Sequence, residues 1–90
     1  MKREDALINW LQIQVVADAR PTDQSAHSTA AFFHQLLQED HLCRELGYKK
    51  EGGWYVLFGL SDSGPWESRY PAEMVESLLM AIESEPRFNQ

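Results

Sequence analysis

Ninety residues, 43% of them hydrophobic, are enough for one domain around one core, and a composition this apolar at a net charge of −6 excludes intrinsic disorder. Fourteen acids against eight bases argue against a nucleic-acid backbone as partner, because that affinity comes from neutralising phosphates. Cys43 is the only cysteine, which excludes an internal disulfide and favours the cytoplasm, and Asn9, Gln12 and Gln14 interrupt the first apolar stretch, so neither a signal peptide nor a membrane span is expected.

Residues 3 to 19 carry Glu4 and Asp5 where a helix dipole favours acids, and Pro21 forces the helix to end by about Arg20. On this predicted first helix Ala6, Leu7, Ile8, Trp10, Leu11, Ile13, Val15 and Ala17 cover more than half of the circumference, leaving Asp5, Asn9 and Gln12 as the polar side. Alternation over Leu11-Gln12-Ile13-Gln14-Val15 makes a strand over residues 10–16 the competing reading. As a helix, its apolar arc is wider than one packing surface requires and holds Gln14 near its centre, so the expectation is a homodimer, or a partner helix, covering the excess.

The second helix is predicted to start near Thr22 to Ser25, whose short polar side chains cap backbone N–H groups, and to run to about Asp40. Its apolar stripe is Ala26, Ala30, Phe32, Phe33, Leu36 and Leu37.

Residues 45 to 70 read as three short strands joined by glycine-containing turns. Three-residue loops, Glu51-Gly52-Gly53 and Asp62-Ser63-Gly64, set Leu46 and Tyr48 opposite Phe58 and Val56, and Leu60, Phe58 and Val56 opposite Trp66, Ser68 and Tyr70. The predicted inner face is then Trp54, Val56, Phe58, Leu60, Trp66 and Tyr70, with Lys49, Tyr55, Leu57, Glu67 and Arg69 looking outward. On that reading Phe58→Ala removes about 3–5 kcal/mol of stability. Gly59, inside the central strand, marks a bulge or a close approach by another backbone.

Pro71 suits a first helical turn and Pro86 a stop, with Met74, Val75, Leu78, Ala81 and Ile82 on one side between them. The predicted fold class is α+β, in the order α-α-β-β-β-α: a three-stranded antiparallel meander with helices packed on one face, within a single domain spanning residues 1–90.

The chemistry-bearing residues point away from catalysis. His27, His34 and His41 fall on one edge of the second helix, but a rise of about 1.5 Å per residue holds neighbours in that row about 10 Å apart, too far for one metal ion. Asp40, His41 and Cys43 invite a nucleophile reading, yet positions 41 and 43 point to different sides of a helix. The glycines form no phosphate-cradling pattern. No cofactor or metal site is therefore expected.

The candidate partner-binding residues are Tyr55 and Leu57 on the outer face of the central strand, and Met80 among the acids Glu73, Glu76 and Glu83 of the last helix. In element order, residues 22 to 85 resemble a double-stranded-RNA-binding domain preceded by an extra helix. That family places a basic cluster at the start of its last helix, where this chain has Pro71-Ala72-Glu73-Met74. The expected function is a noncatalytic protein-interaction module, a small regulator or adaptor. The alternatives are a nucleic-acid-binding domain of that element order and a small enzyme or ligand-binding domain using His41 and Cys43.

Overall fold

Proline placement and one short polar cap, on the second helix, delimit the helices much as their chemistry requires. The computed structural model describes residues 1–85. The first helix, α1 (Arg3–Ala19), ends just before Pro21, with the Arg20 N–H donating to the Val16 carbonyl at 2.9 Å. Residues 10–16 are therefore helical, and the strand alternative is excluded. In α2 (Gln24–His41), the Asp23 carboxylate accepts the Ala26 N–H at 3.0 Å. That bond and the Arg20 guanidinium hold the Asp23 carboxyl below its usual value of 3.8.

The far end of α2 turns through Leu42, left-handed at φ 55°, so that the Cys43 N–H returns to the Leu37 carbonyl at 2.9 Å. A left-handed residue closes the helix here as it closes many, with leucine in the position usually taken by glycine. Strands β1 (Arg44–Glu51), β2 (Trp54–Ser61) and β3 (Gly64–Pro71) then form an antiparallel sheet in the order β1-β2-β3. The last helix, α3 (Ala72–Glu83), follows directly, with Pro71 as its N-cap. The order is α-α-β-β-β-α, as read from the sequence. Pro86, the expected stop, lies outside the described residues.

The wide apolar arc of α1 is satisfied within the chain. Helix α1 lies between α2 and α3 and over the sheet. Its Leu7, Trp10, Leu11 and Val15 join Leu37, Cys43, Tyr55, Leu57 and Val75 in the main core, while Val16 and Ala17 meet Ala26, Leu78 and Ile82 in a second cluster. The polar positions are engaged as well: Gln12 donates to the Met74 carbonyl at 3.0 Å and Gln14 to Asp18 at 2.9 Å. The excess that pointed to a homodimer through this helix is thus taken up by its own neighbours. Two further expectations change. Phe32 is 61% exposed, its ring edge-on to Phe33, and on α3 it is Leu79 rather than the exposed Met74 that packs inward.

The largest correction is the strand register. Both hairpins close with two-residue loops, pairing Glu51 with Trp54 and Ser61 with Gly64. Gly52 has φ 59° while Gly53 is not in the left-handed region, the pattern of a II′ turn with glycine at its first central position. Relative to the three-residue loops, β2 slips by one residue, and a slip of one exchanges its two faces. Tyr48 now faces Leu57 and Ser68, Tyr55 faces Tyr70, and Gly59 faces Trp66. The inward choices on β1 and β3, Leu46, Tyr48, Trp66 and Tyr70, hold; on β2 it is Tyr55 and Leu57 that enter the core.

Packing on both faces agrees with this register. A Cβ at Gly59 would stand 2.7 Å from the Trp66 indole, so that glycine makes room for the tryptophan on the helix side. A Cβ at Gly47 would stand 2.6 Å from the Phe58 ring, which covers that glycine on the other side.

Candidate functional site

The helices occupy one face of the sheet, and no helix among the described residues covers the other. Alternation along β2 sends Trp54, Val56, Phe58 and Leu60 to this second face, and the register gives each a row across the three strands. The rows are Glu51–Trp54–Pro71, Lys49–Val56–Arg69, Gly47–Phe58–Glu67 and Arg44–Leu60–Pro65. Trp54 is 48% and Phe58 39% exposed, and Val56 between them is buried without any helix above it. The result is an aromatic and aliphatic ridge along the middle strand, flanked by charges on both edge strands.

Those charges are partly engaged with one another. Lys49 lies 3.0 Å and Arg69 3.8 Å from the Glu51 carboxylate, and together they hold that carboxyl below its usual value, the Lys49 hydrogen bond contributing most. Arg44 and Glu67 have no ion partner among the described residues. A row of single apolar residues on a surface is ordinary; two half-exposed aromatic rings on one uncovered strand face, with the buried Val56 between them, are a denser apolar feature than that.

The residues singled out from the sequence are dispersed. Leu57 is wholly inaccessible, and Tyr55 is buried with its hydroxyl donating to Glu76 at 2.6 Å. Neither belongs to an outer surface, because the slip of β2 turned both inward. Glu76 also accepts Lys50 at 2.8 Å, so it ties α3 to the sheet. The Lys50 bond first, and the Tyr55 hydroxyl second, hold the Glu76 carboxyl below its usual value of 4.5. Burial and then the Glu76 bond push the Tyr55 hydroxyl up to about 12. Tyr48, donating to Asp18, is raised as well, with burial as the first cause. Met80 is 65% exposed on α3, and Glu73 and Glu83 are exposed on the same helix, as their spacing implied.

No protein-family model, curated protein or solved structure matches this chain. The site's own chemistry is therefore what distinguishes the readings.

His41 and Cys43 do not form a reactive pair. The His41 imidazole donates to the Met1 carbonyl at 3.1 Å, whereas the buried Cys43 thiol points at the His41 backbone oxygen, 3.6 Å away. A thiol buried in apolar surroundings lacks the access and the cationic neighbour that activation requires. The three histidines are likewise separated in their contacts: His27 donates to the Pro21 carbonyl at 2.9 Å, and the His34 ring tilts against Trp10. His27 and His34 border a shallow groove of about 510 Å³ between α1 and α2, together with Gln14, Gln35, Gln38 and Glu39. Among the described residues, no group of three or more His, Cys, Asp or Glu is placed to hold a metal ion.

Sequence reasoning missed Trp54 and Phe58 as surface residues. Two signals were present. Gly52-Gly53 is itself a two-residue hairpin pattern, and Gly59 faces a large aromatic only if β2 is read in the shorter register.

Proposed function

We propose that this chain is a noncatalytic protein-interaction module, a small regulator or adaptor of the cytoplasm, whose working surface is the uncovered face of its sheet. The observation that carries this reading is the pair of half-exposed rings, Trp54 and Phe58, aligned with Val56 and Leu60 on a strand face that no helix among the described residues covers. Aromatic residues with an apolar centre and a charged border are the composition of binding hot spots. The scarcity of bases and the presence of Glu73 at the start of α3 favour a protein partner over a phosphate backbone. The buried Cys43 thiol, turned away from the His41 ring, favours binding over chemistry. No helix among the described residues is long and apolar enough to cross a membrane, and a single cysteine suits a reducing compartment. Met80, 65% exposed beside Glu73 and Glu83, supports α3 as a second, smaller contact surface.

The test is affinity capture with the wild-type chain and with a Trp54→Ser/Phe58→Ser variant whose circular dichroism matches wild type. Proteins retained by the wild type, copies of this chain included, are expected to be lost from the variant. A retained set that is the same for both baits would sink the reading.

A further inference from the structure

From the rows of the uncovered sheet face, we infer that its partner is a second copy of this chain, packed sheet on sheet about a two-fold axis that lies across the strands between the Val56 and Phe58 rows. The inference rests on the reading of that face as an interaction surface and names its occupant.

Charge selects the axis. The face carries Arg44, Lys49 and Arg69 against Glu51 and Glu67, a mixed surface on a chain whose net charge is −6. Two such chains repel as whole molecules, so they meet most readily where the signs alternate. A two-fold across the strands lays β1 on the partner's β1 and β3 on the partner's β3, with the row order reversed. Placed between the Val56 and Phe58 rows, it sets Arg69 against the partner's Glu67 and Glu51 against the partner's Arg44, each contact occurring twice by symmetry. Arg44 and Glu67, which have no ion partner among the described residues, each gain one.

The apolar positions agree with the same axis. Phe58 falls over the partner's Val56, which is already buried in its own chain, Trp54 falls on the partner's Leu60, and Pro71 on the partner's Pro65. Lys49 falls on the partner's Gly47, over which the partner's Phe58 ring lies, so that the ammonium meets an aromatic ring rather than a like charge. Two other placements fail on charge. An axis through the Val56 row sets Lys49 on the partner's Lys49 and Arg69 on the partner's Arg69, and an axis along the strands sets Lys49 on the partner's Arg69. Face-to-face packing of this kind is that of a β-sandwich, with the two sheets about 10 Å apart and the strands nearly aligned.

Sedimentation equilibrium of the full chain tests the arrangement. The wild type is expected to rise from the mass of one chain, 10.4 kDa, toward twice that value with concentration, and Phe58→Glu to weaken association by about tenfold or more. Register is tested by charge. Arg69→Glu alone and Glu67→Arg alone each bring like charges together across the axis and are expected to be monomers. Mixed in equal amounts they restore both contacts, and a one-to-one heterodimer is expected. A wild type that stays monomeric throughout, or a dimer indifferent to all three substitutions, overturns the inference. A monomer that still captures another protein through Trp54 and Phe58 leaves the broader reading of the face standing. A monomer that captures nothing removes both.

Discussion

Gly47 and Gly59 each lie beneath an aromatic ring, yet on opposite faces of one sheet, and the two pairs behave as different devices. Over Gly59, the Trp66 indole is half-buried among the helices, with the Arg3 guanidinium 4.6 Å from its ring centre. Over Gly47, the Phe58 ring is 39% exposed, on the face that no helix among the described residues covers. A missing Cβ therefore serves packing on one face and shapes a surface on the other. Glycine beneath an aromatic ring sets how close the ring lies to the sheet, while the layer above decides whether the pair belongs to the core.

The two faces are expected to differ most at neighbouring β2 positions. Leu57→Ala, in the core, is expected to cost about 2–5 kcal/mol. Phe58→Ala, one residue away, is expected to cost about 1 kcal/mol or less. Urea unfolding of both variants checks the contrast, and a reversed order would return β2 to the opposite register.

Next in size are the two glycines. Gly59→Ala drives a Cβ to 2.7 Å from the Trp66 ring and 3.2 Å from the Arg44 carbonyl oxygen. Neither the core-bound indole nor the backbone yields easily, so a loss of about 1–3 kcal/mol is expected. Gly47→Ala meets the Phe58 ring first, which can swing into solvent, and its loss is expected to stay below about 1 kcal/mol. Equal thermal shifts for the two variants would remove the distinction between the faces.

The smallest effect lies at the link between the buried face and α3. Glu76, with its carboxyl held below the usual 4.5, contributes stability that is present above that value and lost as pH falls through its folded value. Tyr55, raised to about 12, contributes stability that is complete below pH 10 and lost as pH rises from there toward about 12. Tyr55→Phe is expected to cost about 0.5–1.5 kcal/mol at neutral pH and to flatten part of the alkaline loss. Chemical denaturation followed from acid to alkaline pH reads both arms, and an unchanged alkaline arm would contradict the Tyr55–Glu76 bond.

Much of the architecture was legible along the chain because its determinants are local. Pro21 ends α1, Asp23 caps α2, and glycine-bearing turns divide the strands, all within a few residues of the feature they set. The candidate site was far less legible. Tyr55 and Leu57 were read as exposed and are core; Trp54 and Phe58 were read as core and are exposed. The reason is that Trp54-Tyr55-Val56-Leu57-Phe58 is apolar at every position, so period-two alternation carries no sign of which side faces the helices.

By itself, then, the sequence determined the kind and order of the elements, the exclusion of an internal disulfide and the acidic balance, since these depend on composition and near neighbours. Tertiary structure alone decided which face of β2 is covered, how the arc of α1 is shared between α2, α3 and the sheet, and that Glu76 is a tie rather than a free acid. Those outcomes depend on a two-residue loop in place of three and on groups distant along the chain meeting in space, where a one-residue slip exchanges core and surface.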